Sequence, residues 1–338
     1  MTGYVLEKIY LEHKPGPGHP ESPERLLVAE GVIKNFKTLK KIKARAASPD
    51  EICLIHDKAY FNTVKATQGH SFISLDPDTQ TSAKSFEAAV FAAGGVLNLI
   101  DLVFNKDVEN GFAFVRPPGH HAEKDKAMGF CLFNNVAIGA AYAIKKYKLS
   151  RVLVLDLDLH HGNGTQQAFY PADQVMYIST HQYPYYPGTG SFEERGEGQG
   201  EGYNINLPLS PGKDDDFYNK LLEKVIIPVA GQYQPEFILV SMGFDTYYQD
   251  PLGGMKVTAK GYAGMAGQIF NLAERVCGGK LIYVLEGGYN LQGIKEGTKA
   301  VLQELILPSQ EKDSFVERSV FIEYHKTVKK CYKRYWRL

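Results

Sequence analysis

The chain has 338 residues, 44% hydrophobic and 22% charged, which supplies ample apolar material for a large core. Lysine plus arginine and aspartate plus glutamate balance at 38 each, so no net field is available to hold nucleic acid or an anionic membrane, and neither partner is expected. Length alone favours about two domains. No Pro/Ser-rich or charged linker divides the chain, however, so a single large α/β domain is expected.

The start, MTGYVLEKIY, lacks the basic and apolar regions of a signal peptide. The most apolar run, 86–104, is interrupted by Glu87, Asn98 and Asp101, so no membrane span is expected. Helical spacing is expected over 23–39, 85–104, 134–147, 214–230, 258–276 and 291–306. Short runs rich in Val, Ile, Leu, Phe and Tyr at 112–115, 151–157, 175–179, 236–242 and 280–285 read as buried strands between them. Strands alternating with helices imply βαβ units and a parallel sheet. Cys53, Cys131, Cys277 and Cys331 are scattered without a C-x-x-C pair, which argues against a disulfide framework or a cysteine-based zinc site, and a reducing, cytoplasmic setting is expected.

Sites on open parallel sheets lie beyond the carboxyl ends of the strands. The segments that follow the expected strands are RPPGHH, DLDLHHGNG, STHQYPYYPGTG, GFDTYYQDPLGG and EGGYN, the most polar, His-rich, Gly-rich and aromatic in the chain. In an extended segment alternate side chains share a face, so Asp156, Asp158 and His160 are expected to point one way and His161 another. With Asp245 from the next strand end, two carboxylates and an imidazole suit a zinc ion with an open fourth position. Spacing does not decide between Asp156 and Asp158. His120 and His121 are candidates for general acid and base, with Asp156 holding one and Asn163 touching the other. Tyr289, after two glycines, is a candidate hydrogen-bond donor. Phe130, Phe133, Tyr183, Tyr185, Tyr186, Tyr247 and Tyr248 crowd the same edge, either as packing or as the lining of a narrow entrance.

In this order the motifs RPPGHHAEKDKAMGFCLFNN, DLDLHHGNGTQ, YYPGTG, GFDTYYQDPLGG and LEGGYN, with HPESPERL near the start, resemble the zinc-dependent histone deacetylase family. The class II-like and bacterial members, with their acetylpolyamine amidohydrolase relatives, are the most similar, over about residues 19–290. The resemblance implies an arginase/deacetylase-like α/β domain with a central, mostly parallel eight-stranded sheet and helices on both faces. It implies hydrolysis of acetylated amines, above all N6-acetyl-lysine side chains in peptides or proteins, with release of acetate; small acetylated amines such as acetylpolyamines are the alternative substrates. One zinc ion per chain on Asp158, His160 and Asp245 is implied, with Asp156 behind His120, His121 as the principal base and Tyr289 polarising the acyl carbonyl. Gly129, Phe130, Tyr186 and Leu252 match the substrate tunnel, and Arg25 an arginine near an internal acetate exit.

Structural potassium is implied at two sites, one on Asp156, Asp158, His160, Ser179 and Thr180, the other on Phe169, Ala172, Val175 and Tyr203. Two departures stand out. Asn163 replaces the aspartate of class I members, and Leu252 replaces the glutamate of a polyamine-specific branch. Two rival readings are an arginase-like two-metal enzyme, which would need a further aspartate where His161 and Gly162 stand, and a non-catalytic acyl-lysine-binding protein. The catalytic domain is expected over 1–310. Residues 311–338 are expected to form a basic helical extension of the same domain, carrying Lys326, Lys329, Lys330, Lys333, Arg334 and Arg337. A solvated face is expected there; a homo-oligomer contact through Tyr332, Tyr335 and Trp336, or an anionic partner, is the alternative.

Overall fold

The structure, a computed structural model, describes residues 1–309 and 315–338. Its strands are β1 (Thr2–Val5), β2 (Lys40–Ile42), β3 (Ile73–Asp76), β4 (Thr79–Thr81), β5 (Asn110–Ala113), β6 (Val152–Asp156), β7 (Val175–Gln182), β8 (Asn204–Leu209), β9 (Phe237–Met242) and β10 (Leu281–Leu285). Its helices are α1 (Glu24–Ile33), α2 (Pro49–Ile52), α3 (Lys58–Ala66), α4 (Ser85–Phe104), α5 (Asn135–Tyr147), α6 (Asn163–Phe169), α7 (Asp215–Leu221), α8 (Ile227–Tyr233), α9 (Ala259–Cys277), α10 (Leu291–Ile306) and α11 (Ser319–Tyr332).

Eight strands form one sheet in the order β2-β1-β5-β10-β9-β6-β7-β8, and each neighbouring pair is parallel. The central strands are buried along their whole length, as runs such as VLVLD and FILVSM require when helices cover both faces. On one face α4 packs on α5, over β1 and β5 and over β6 and β9 respectively. On the other, α1, α10 and α9 lie side by side, with α10 against β5 and α9 against β9. Helix α4 is long and apolar enough to cross a membrane, contrary to the sequence expectation, but 72% of its apolar window is buried inside the protein, where it serves as a core helix.

Two expected helices differ in detail. The helix expected over 23–39 stops at Ile33, because the Asn35 side-chain amide donates to the Gly31 and Val32 carbonyls and closes the last turn. The helix expected over 214–230 is broken into α7 and α8 by a π turn at Leu222–Ile226. The extra residue in that turn precedes Pro228, which has no N–H to give and sits in the first turn of α8, where none is needed.

The sheet edges are protected differently. Strand β2 is three residues long and carries exposed Lys40 and Lys41. Strand β8 is covered by the C-terminal segment: the buried Tyr332 hydroxyl accepts from Asn206 N at 2.9 Å and donates to Asn206 O at 2.8 Å, and Trp336 Nε1 donates to Gly202 O at 2.7 Å. Tyr332 and Trp336 therefore pack inside their own chain and close an open edge. The expected domain boundary at 310/311 lies outside the described residues. Tyr332→Phe strands both Asn206 backbone groups, and a loss of about 1–3 kcal/mol is expected in urea unfolding, with the slope unchanged.

Candidate active site

The register aligns Asp156 with Ser179 on one side and Ser241 on the other, and Leu285 with Met242. Strands β6, β9 and β10 thus end at one rim, β7 passes it by three residues to Gln182, and the polar segments that follow β6, β9 and β10 meet there. Side-chain donors of Asp158, His160 and Asp245 lie within 4.8 Å of one another, all buried. His160 Nδ1 is 3.2 Å from Asp158 Oδ1 and 3.1 Å from Asp245 Oδ2. Backbone N–H groups fix the acids: Gly287 donates to Asp158 Oδ2 at 2.8 Å, His160 to Asp158 Oδ1 at 2.9 Å and Leu159 to Asp245 Oδ1 at 2.9 Å. Glycine is required around them, since a Cβ at Gly243 would stand 2.1 Å from Asp158 Oδ2 and one at Gly287 would stand 2.3 Å from Asp245 Oδ2.

The electrostatics ask for a cation. Burial and the Asp158 charge push the Asp245 pKa up to about 7. Burial also opposes ionisation of Asp158, yet His120 and His160 hold it well below the carboxylate range. Burial works against charged His160, but Asp158 and Asp245 outweigh it and push its pKa up to about 9. Two buried carboxylates facing one imidazole thus retain protons that a divalent ion would displace. The donor set, two carboxylates and one imidazole beside a cavity that His160 lines, fits zinc in a catalytic role.

The alternation expected for Asp156 fails because β6 ends at that residue. Asp156 turns away from the triad, and its Oδ2 accepts from His120 Nδ1 at 3.1 Å and from the Tyr177 hydroxyl at 2.9 Å. Burial opposes a charged His120, but Asp158 and Asp156 raise its pKa to about 10, so the proton of this pair rests on the imidazole. His121 differs: burial, then the charges of His120 and His160, push it well below the usual range, and its Nδ1 faces Asn163 Oδ1 at 2.8 Å. His161, as expected, points elsewhere, to Thr189 and Gln166.

A cavity of about 200 Å³ opens over the triad, lined by Asp78, His121, Gly129, Phe130, His160, Tyr185, Tyr186, Leu252 and Tyr289. All four expected tunnel residues are on its wall. Tyr186 stands edge-on to His121 (centroids 5.2 Å), and Tyr185 stacks on His160 at 5.7 Å. Phe130 meets Tyr289 edge-on at 5.8 Å. Gly129 has φ +58°, and a Cβ there would lie 2.2 Å from the His121 ring. Tyr289 is held by its backbone N–H on Asp250 Oδ2 at 2.7 Å and by the Arg25 guanidinium 5.3 Å from its ring centre. Arg25 is buried behind the rim, with Nε on Gly288 O at 2.7 Å and Nη2 on Glu286 O. Of the other rim aromatics, Phe133 packs in the core with Phe61 and Tyr60, Tyr247 is buried with its hydroxyl on Glu296, and Tyr248 is exposed.

The tip of the β3–β4 hairpin was not foreseen. Asp78 Oδ1 accepts from Gly129 N at 3.0 Å and Thr79 Oγ1 from Phe130 N at 3.1 Å, fixing two wall residues, one of them the non-glycine Phe130 at φ +66°. The DPDT run is a turn signal that marks the place without naming its contact. Buried Glu286 was also missed; its carboxylate accepts from Gly119 N at 2.7 Å, His120 N at 3.2 Å and Ser241 Oγ at 3.0 Å, which sets the His pair on the rim.

His56 completes this scaffold. Its Nδ1 donates to Glu123 O at 2.8 Å, and its Nε2 accepts from Asn134 N at 2.9 Å. Burial lowers its pKa to about 4. The unfolded chain therefore binds this proton first, and the stability His56 supplies is complete above pH 6.5 and lost as pH falls toward 4. A loss of about 3 kcal/mol across that window is expected from this group. Urea unfolding at stepped pH checks it, the dependence being shallower in His56→Gln.

An acidic pocket with a metal-ligating donor set beside a neutral imidazole suits hydrolysis, and the fold and site together define a hydrolase on a parallel α/β sheet. Residues 19–305 match the family model described as the histone deacetylase domain. A probable deacetylase of Archaeoglobus fulgidus is 40% identical over 299 residues, covering 87% of this chain and 82% of the relative. Histone deacetylase 14, chloroplastic, of Arabidopsis thaliana is 39% identical over 293 residues, covering 82% and 67%. The crystal structure of the HDA15 HD domain superposes with a TM-score of 0.92 at 35% identity, over 99% of this chain and 95% of that one. The chain belongs to the histone deacetylase family.

Proposed function

We propose that this deacetylase hydrolyses the side-chain amide of N6-acetyl-lysine with one zinc ion per chain, held by Asp158, His160 and Asp245. The observation that carries the reading is the convergence of those three donors beneath a cavity that His121 and Tyr289 both line. A bound zinc ion supplies Lewis-acid polarisation of the acyl oxygen and lowers the pKa of the attacking water. The chain's own residues do the rest. His121, neutral at rest with its Nδ1 proton on Asn163, offers Nε2 to take a proton from that water and later return it to the leaving amine. His120, held by its Nδ1 on Asp156 Oδ2, stands beside His121 as a second imidazole fixed in place. Burial and then the Asp245 and Asp158 charges keep the Tyr289 phenol protonated, so it donates to the oxygen that gains charge. Phe130, Tyr185 and Tyr186 wall a passage suited to an unbranched acyl-amine chain.

Leu252 in that wall carries no charge to recognise a second ammonium group, which favours acetyl-lysine over acetylpolyamine. Purified enzyme with its metal content measured, tested on acetyl-lysine peptides, longer acyl-lysines and acetylpolyamines, decides between them. Preference for acetylspermidine by more than tenfold in kcat/KM would overturn the substrate reading, and tight peptide binding without turnover would favour a binding protein.

Structural potassium belongs to the same proposal. Thr180 Oγ1 lies 3.5 Å from Asp156 O, and Ser179 pairs with Asp156 in register, which groups the first candidate set. Around the second, Ala172 N donates to Phe169 O and Tyr177 N to Tyr203 O, with Val175 opening β7. A melting temperature that rises more in potassium than in sodium chloride is the expected sign; equal curves would remove potassium. The four free cysteines support a reducing, cytoplasmic location, which fractionation of the native cell tests. A self-association contact through Tyr335, whose hydroxyl bonds Glu201, is tested by sedimentation of the purified chain.

A further inference from the structure

The Asn163 side chain, which holds the base His121, is itself held from the far side by a carboxylate that the mechanism above does not use. Asn163 Nδ2 donates to Glu123 Oε1 at 2.7 Å, with His121 O at 3.3 Å and Met128 Sδ at 3.2 Å around the same nitrogen. Asn163 Oδ1 lies 2.8 Å from His121 Nδ1. Glu123 Oε2 is steadied by Gln167 Nε2 at 3.3 Å. The backbone of Glu123 is anchored separately, its N–H on Lys126 O at 2.9 Å and its carbonyl under His56 Nδ1 at 2.8 Å. Its carboxylate is therefore not what holds the loop.

We infer that Glu123 is a positioning residue for deacetylation, one that fixes the tautomer of His121 by fixing which end of the Asn163 amide faces it. This rests on His121 being the base. An amide has two faces of opposite character, an acceptor oxygen and a donor nitrogen. With the oxygen toward His121, the imidazole proton sits on Nδ1 and Nε2 is free to act as a base. With the nitrogen toward His121, Nδ1 must accept, the proton moves to Nε2, and no base faces the substrate. The hydrogen bond made at one ring nitrogen decides which of the two nitrogens carries the proton. A carboxylate can only accept from Asn163, so Glu123 draws the NH2 group to itself and leaves the oxygen for His121. An aspartate at 163 would need no such partner, because both its oxygens accept, and it would meet Glu123 with like charge.

The test uses zinc-loaded full-length enzyme on an acetyl-lysine peptide, with zinc content and circular dichroism recorded for each variant. Glu123→Leu is expected to lower kcat at least about tenfold, with KM within twofold and zinc unchanged. Glu123→Gln, whose carbonyl can still accept from Asn163, recovers most of that loss. The 15N shifts of the His121 ring report protonated Nδ1 in the parent and a mixture of tautomers in Glu123→Leu. Asn163→Asp lowers kcat in the parent, where it faces Glu123, and raises it in Glu123→Leu, so the effect changes sign. Parental kcat in Glu123→Leu, or the same effect of Asn163→Asp in both backgrounds, overturns the inference. His121→Ala separates the two levels: if it spares turnover, the base assignment fails, and if it abolishes turnover while Glu123→Leu does not, only the role of Glu123 fails.

Discussion

Asp158→Ala is expected to give a folded protein that retains no stoichiometric zinc and turns over an acetyl-lysine peptide at less than about a thousandth of the parental rate. Removing the metal forfeits several kcal/mol of charge stabilisation, and each 1.36 kcal/mol is about tenfold in rate. Asp158 is one of only two carboxylates in the triad, and its two oxygens are aimed by Gly287 N and His160 N. The remaining His160 and Asp245 are too few to hold the ion against dilution. Folding survives because the change also removes a buried charge. Asp245, pushed up to about 7 by burial and by Asp158, loses the neighbour that opposes its ionisation. The two backbone N–H groups left without Asp158 offset that relief at roughly 1–3 kcal/mol each. The discriminating measurement is the zinc-dependent rise in melting temperature, which mass action gives to any protein that binds the ion only when folded. The parent should show it and Asp158→Ala should not. One zinc per chain in the variant, measured by elemental analysis, would remove Asp158 from the ligand set. Asp156→Asn makes the contrast: Asp156 bonds His120 and Tyr177, so zinc stays and the rate falls.

The same two aspartates show where the sequence was legible and where it stopped. A parallel sheet sends its carboxyl ends to one rim, so the polar segments after five apolar runs mark the site. Which aspartate served the triad was not legible, because period-two alternation holds only while the strand lasts, and β6 stops at Asp156. Long apolar segments such as α4 and α10 were readable to the residue. The edge strand β2 and its neighbour β1, three and four residues long, carry too few residues for a periodic signal, and the edge strand β8 is closed by a distant partner, Tyr332. Contacts between separate loops were the least visible. Asp78 reaches Gly129 across 51 positions and Glu123 reaches Asn163 across 40, and neither pairing leaves a trace in local composition. The chemistry of a strand end is thus written locally, whereas the parts that aim it are set by tertiary contact.

Tyr289→Phe is expected to separate chemistry from metal binding. The ring lines the cavity with His121 and His160, and its position is fixed by contacts the substitution keeps: the backbone N–H on Asp250, the edge of Phe130 and the guanidinium of Arg25. Only the hydroxyl is lost. If that hydroxyl donates to the acyl oxygen as it gains charge, kcat falls by about 10²–10³, the size of effect seen when one such donor is removed. KM moves little, because the bond strengthens in the transition state and contributes less to the bound amide. Zinc content stays at the parental level, since no atom of Tyr289 belongs to the triad. The alternatives leave different marks. A phenol that only packed would give parental kcat in the phenylalanine variant, whereas a phenol that held the metal would lose zinc along with rate. A protein that bound acyl-lysine without cleaving it would show no turnover to lose, and its affinity would fall instead. Steady-state kinetics and elemental analysis on one preparation therefore distinguish a donor, a wall, a ligand and a binder.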